Sequence, residues 1–225
     1  MKIVALIGIG MGNPKNITME GMAYIKNAEI IIGNERLLKA FGEDFKSDVR
    51  VFELNKYREI TCLIENEIID VDANIAILIA GDTGYFSEAK KIIAVLNDNP
   101  EIEIKNIPGI SSLSYFFSKL NMSYDNAFSV NLNGEEGKIV QYVAAHKHVF
   151  CLGGGEVEVL LGELIKARAI NTLPESLRIF IGERLSYPDE KIIYSTLKDI
   201  HKHKDDIKSM SSLAVFLFEN DEAIF

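Results

Sequence analysis

The chain has 225 residues, 48% of them hydrophobic, with a formal net charge of −9 and a pI of about 5.0. That is the balance of a globular protein with ample apolar material for a core, organised as one domain or two small ones. The acidity argues against a general nucleic-acid or membrane-surface binder, and the longest apolar runs, such as Leu213–Phe218, fall far short of the roughly 20 residues a membrane span needs.

Ile3–Ile9 predicts a buried strand. The opening "MKIVALIGIG" mimics a secretory leader but passes into glycine-rich sequence without a small-residue cleavage site. Residues 18–27 predict a helix capped by Thr18 with Glu20 in its first turn, and 29–32 a short strand. Residues 59–70 place Ile60, Leu63, Ile64 and Ile68 at helical spacing. Strand 74–80, helix 87–96, strand 102–107 and helix 111–120 follow. The second half predicts strand 128–132, helix 136–145, strand 149–152, helix 156–168 and strand 177–182, then a strand near 191–195, a short helix 196–203 and strand 213–218. Strands alternating with helices mean sheets covered by helices, an α/β protein. The polar stretch "LNMSYDNA", residues 120–127, is the expected boundary between an N-terminal domain of 1–120 and a C-terminal domain of 121–225. A cleft between two such domains is a common small-molecule site.

Three strand ends are rich in glycine. "GIGMGNP", Gly8 to Pro14, invites the dinucleotide fingerprint, but Asn13 stands at the third glycine position, and Pro14 and Thr18 start the helix too late. In "AGDTGYFS", residues 80–87, Asp82 follows a buried strand where α/β sheets bind ligands, and Gly81 and Gly84 let the backbone pass close to one. The alternative is a turn with Asp82 near a helix N-cap. In "IPGISS", residues 107–112, Ser111 and Ser112 open a helix whose first N–H groups suit a polar ligand, or serve as ordinary caps.

Together, in this order and spacing, the three stretches resemble the motifs of the tetrapyrrole methylase family. The resemblance implies two α/β domains, with S-adenosyl-L-methionine in the cleft between them. Two prolines usual in the family are Met11 and Thr83 here. "IIGNERLL", residues 31–38, and "IGERLSYPDEKI", residues 181–192, further resemble the branch that methylates C5 of a precorrin in cobalamin biosynthesis. The resemblance places the cofactor against Met11, Gly81, Asp82, Tyr85, Ser111 and Ser112, with Leu152 and Leu185 from the second domain. It also implies a homodimer. Methyl transfer from a sulfonium needs alignment, with reacting atoms about 3–3.5 Å apart, and neither a triad nor a metal; the sequence singles out no catalytic residue.

A precorrin is a large macrocycle with many carboxylates. Arg36, Arg58, Lys15 and Arg184 are the candidate cations, with Arg36 and Arg184 preferred because they lie in the branch-like motifs. Two "HKH" runs, at 146–148 and 201–203, read as surface residues, since no third metal ligand accompanies them. "GGG" at 153–155 reads as a simple loop or as the second domain's wall of the cofactor cleft, the latter preferred. Cys62 and Cys151 match no metal or redox spacing and read as core thiols of a cytoplasmic protein. The alternatives are a family member acting at another ring carbon, on diphthamide or on ribosomal RNA, a nicotinamide-dependent oxidoreductase, and a non-catalytic binding module.

Overall fold

The computed structural model describes residues 2–68, 70–71, 73–132, 138–152, 157–211 and 213–223. The chain divides into two compact units, Met1–Ser112 and Leu113–Phe225.

The first unit holds a parallel five-stranded sheet. Its strands are β1 (Lys2–Gly8), β2 (Ile30–Gly33), β3 (Arg50–Glu53), β4 (Ile75–Ile79) and β5 (Ile102–Ile107), in the order β3-β2-β4-β1-β5. Alternate residues face opposite sides of a strand, and here both sides are covered. Val4, Leu6, Ile30, Ile32, Ile75 and Ile77 pack with Ile60 and Leu63 of α3 (Tyr57–Leu63) and with Ile92 and Leu96 of α4 (Ala89–Leu96). Ala5, Ile7, Ile31, Ala76 and Leu78 pack with Ile25 of α1 (Met19–Asn27) and with Leu37, Leu38 and Phe41 of α2 (Glu35–Phe41). Burial on both faces is why β1, β2 and β4 read as continuous apolar runs.

The second unit contains α5 (Ser112–Lys119, whose first residue closes the first unit), β6 (Ala127–Asn131), α6 (Ile139–Ala145), β7 (His148–Leu152), α7 (Val157–Ala169), β8 (Arg178–Glu183), β9 (Lys191–Thr196), α8 (Lys204–Lys208) and β10 (Ala214–Glu219). Its sheet runs β6-β7-β10-β8-β9, parallel between β6 and β7 and antiparallel elsewhere. One face packs Val149, Cys151, Ile179, Ile181, Phe216 and Phe218 against α6 and α7. Phe116 and Phe117 of α5 lie 6.3 and 6.2 Å from the Phe150 ring. These contacts draw α5 into the second unit, and the division falls one residue into the helix, between Ser112 and Leu113.

Several elements depart from expectation. α2 and β3 fall in residues where the sequence predicts no element. α2 is capped by the Asn34 side chain, which accepts from Leu37 N. Residues 59–70 do not form one α-helix: α3 stops at Leu63 and Ile64–Ile68 is π-helical. The expected helix at 196–203 is displaced, with a 3₁₀ turn at Ile200–His203 leading into α8. Cys62 is exposed, which corrects its reading as a core thiol. The buried residues of α3 are Ile60, Thr61 and Leu63, so Cys62 faces solvent, where its Sγ accepts from Asn66 at 3.3 Å. Cys151 is buried as expected, and burial pushes its thiol far above the ordinary value. Among the described residues no helix is long and apolar enough to cross a membrane.

Candidate functional site

β1 lies between β4 and β5 in the first sheet, and because the strands are parallel the three glycine-rich segments leave the same edge side by side. They touch through backbone. A Cβ on Gly8 would stand 2.5 Å from Gly109 N, and one on Gly109 would collide with Gly81 O and the Gly8 carbonyl. Gly10 (φ +67°) and Gly81 (φ +71°) form an isolated bridge, with Gly10 N donating to Gly81 O at 3.1 Å and Gly81 N to Gly10 O at 2.7 Å. That conformation is open to glycine and strained for residues with a side chain.

Asp82 joins the second loop to the third. Its Oδ1 accepts from Gly84 N at 2.8 Å and its Oδ2 from Gly109 N at 2.9 Å. It is not the cap of α4, whose N-cap residue is Glu88. The carboxylate is a clasp between loops that leave strands on either side of β1. Arg36, near the start of α2, donates through Nη1 to the Met11 carbonyl at 3.0 Å and so holds the first loop. Asn13, the residue that breaks the dinucleotide fingerprint, caps a 3₁₀ turn at Pro14–Asn16 by accepting from Lys15 N. α1 starts only at Met19, capped by Thr18, so the first glycine loop does not run directly into a helix N-terminus, as the dinucleotide motif requires.

Met11, Gly81, Asp82, Tyr85, Ser111 and Ser112 therefore lie on three adjoining segments. Gly81 spends its N–H and carbonyl on Gly10, and what it offers a ligand is room: nothing lies within 4 Å of where its Cβ would be. A cradle of backbone with space beside a glycine fits a molecule with polar ends such as S-adenosylmethionine. Gly8 and Gly109, whose close approach lets the segments meet, were not singled out from sequence, although both sit inside the quoted motifs.

The second unit holds the remaining candidates. Leu152 ends β7, and "GGG" at 153–155 lies outside the described residues. Leu185 is buried, in a turn after β8 where Arg184 (φ +49°) and Ser186 (φ +73°) both adopt left-handed conformations. Glu190 pins this turn. Its carboxylate accepts from Ser186 N at 2.6 Å and from the Tyr115 hydroxyl at 2.7 Å, and pairs with Lys119 at 3.0 Å. Burial pushes the Glu190 carboxyl up, but these three donors outweigh it and hold the group below its ordinary value. Burial, followed by the bond to Glu190, raises the Tyr115 hydroxyl. Arg184 donates to Asp189 at 2.6 Å and lies 4.9 Å over the Tyr187 ring, so its charge is already countered.

Lys15 and Arg58 are exposed, and Arg58 bonds Tyr57 at the N-terminal end of α3. His201 is exposed, but His146, His148 and His203 are half-buried rather than surface residues. His146 stacks on Phe128, and His148 meets Glu219 at 3.2 Å. No group of three His, Cys, Asp or Glu side chains among the described residues could hold a metal ion.

With this geometry in place, residues 4–201 match the family model described as Tetrapyrrole (Corrin/Porphyrin) Methylases. A probable cobalt-precorrin-7 C(5)-methyltransferase of Methanocaldococcus jannaschii is 28% identical over 225 residues, covering 99% of this chain and 100% of that protein. Among solved structures, the methyltransferase CobJ superposes with a TM-score of 0.79 at 17% identity, over 98% of this chain and 95% of that one. The precorrin-6Y methylase of Archaeoglobus fulgidus superposes with a TM-score of 0.67 at 20% identity, over 97% and 98%.

Proposed function

Because this chain belongs to the tetrapyrrole (corrin/porphyrin) methylases, which use S-adenosyl-L-methionine, we propose that it acts in cobalamin biosynthesis and methylates C5 of cobalt-precorrin-7. One observation carries the C5 assignment: the likeness to the archaeal C(5)-methyltransferase runs the full length of both chains. The motif around Arg184–Glu190, which the sequence set apart as branch-like, supports it.

Met11, Gly81, Asp82, Tyr85, Ser111 and Ser112 are proposed to hold the cofactor, and Leu152 and Leu185 are added on family likeness alone. The bound cofactor supplies an electrophilic methyl group on a sulfonium. The residues of the first unit bind and orient: Asp82 and Arg36 fix the loops, so that the backbone cradle is rigid before ligand arrives. Preorganisation of that kind is what an in-line transfer requires of a protein. Arg36 and Arg184 are proposed to receive substrate carboxylates, for which a planar guanidinium fork is suited. A carboxylate reaching Arg184 competes with Asp189. The protein is proposed to be a cytoplasmic homodimer, the commonest closed assembly. Light scattering that gives the single-chain mass of 25.1 kDa at every concentration, with activity retained, overturns the dimer.

Incubation with cobalt-precorrin-7 and methyl-labelled S-adenosylmethionine, followed by location of the label by nuclear magnetic resonance, tests the reaction. Label at C5 supports the assignment. Label at another carbon, or none, refutes it.

A further inference from the structure

Phe86 has φ +47°, in the left-handed region that a bulky side chain enters only under constraint. The residue is 50% exposed, and its ring lies edge-on to Tyr85, with centroids 4.8 Å apart. A strained backbone that leaves a large apolar ring in solvent contributes nothing to a core. Strain of this kind persists where surrounding structure over-determines it, and it gathers at ligand clamps. The over-determination is visible here: Gly81 is bridged to Gly10, and the Asp82 carboxylate holds Gly84 N and Gly109 N. Ile110, next to Gly109, is 37% exposed, so each of the two clasped loops presents an apolar side chain to solvent.

A tetrapyrrole has a broad apolar face as well as its rim of carboxylates, and an exposed aromatic ring on a rigid loop is the group that face would pack on. Resting on the reading that the substrate is a tetrapyrrole, we propose that Phe86 is a substrate-binding residue whose ring packs against the macrocycle face, with Ile110 extending the apolar ledge. The carboxylates fall to the arginines, and Phe86 contributes affinity and orientation without touching the methyl donor.

The test separates function from fold because glycine enters the left-handed region without steric cost. Wild-type enzyme is first offered cobalt-precorrin-7, cobalt-precorrin-4 and uroporphyrinogen III. The substrate it methylates is then used with Phe86→Gly and Phe86→Tyr. Phe86→Gly is expected to melt no lower than wild type and to bind S-adenosylhomocysteine within about twofold of it, while KM for the tetrapyrrole rises about tenfold or more, the loss of one large apolar contact. Phe86→Tyr keeps the ring and is expected to hold KM within about threefold. An unchanged KM in Phe86→Gly overturns the proposal, whatever the melting temperature. A raised KM with an equal loss of S-adenosylhomocysteine affinity shows a collapsed loop and also overturns it. Methylation of none of the three compounds sinks the tetrapyrrole reading itself, a result distinct from either of these.

Discussion

Replacing Asp82 by asparagine keeps the shape of the side chain and removes one acceptor. In the native loop Oδ1 takes the Gly84 N–H at 2.8 Å and Oδ2 the Gly109 N–H at 2.9 Å. An amide offers one oxygen and one NH₂, so in either orientation one backbone N–H faces a donor. Gly109 has no room to turn away, because its backbone is packed against that of Gly8. A hydrogen bond to a charged acceptor is worth about 1.5–3 kcal/mol. Asp82 is only half-buried, which places the expected loss near the lower end, at about 1.5–2 kcal/mol. For a chain of this size that lowers the melting temperature by about 3–8 °C. Loosened loops are also expected to weaken S-adenosylhomocysteine binding about tenfold, roughly 1.4 kcal/mol. Urea titration and calorimetry measure the two effects. A wild-type urea midpoint in Asp82→Asn would refute the clasp, and paired with weakened binding it would make the carboxylate a direct cofactor contact instead.

Glu190 gives a pH-dependent expectation. Its folded carboxyl is held below the ordinary value of 4.5, so it contributes stability that is fully present above that value and is lost as pH falls through the folded one. Wild type should therefore lose more stability than Glu190→Gln as pH drops from 4.5 to about 3; parallel urea-midpoint profiles would contradict this. Gly109→Ala drives a Cβ into the backbone of Gly8 and Gly81, and is expected to cost about 3 kcal/mol or to prevent soluble expression. The matched control is Gly42→Ala, where nothing lies within 4 Å and φ is −56°. That change is expected to leave stability equal or raise it by about 0.4–1 kcal/mol, and equal melting temperatures for the two variants would undo the packing argument.

The α/β class was legible in the sequence because periodicity is a local property. Ile75–Ile79, buried through most of its length, reads as a continuous apolar run, and Thr18 before α1 announces a helix start. The order of the glycine motifs also reached the family, since the cradle needs glycine wherever backbones touch. What failed was the short and half-exposed. β3 buries no residue fully and sits at the sheet edge, so it carried no apolar run. α2 spans seven residues and was announced only by Asn34 and its bond to Leu37 N. Cys62 could not be assigned to a face until the register of α3 against β2 and β4 was known. The role of Asp82 depended on the tertiary structure most of all. Its partner Gly109 lies 27 residues away on a different loop, and only the strand order, which puts β1 between β4 and β5, brings them together. Strand order follows from which helices cover which face, a property of the packed chain that no local stretch records.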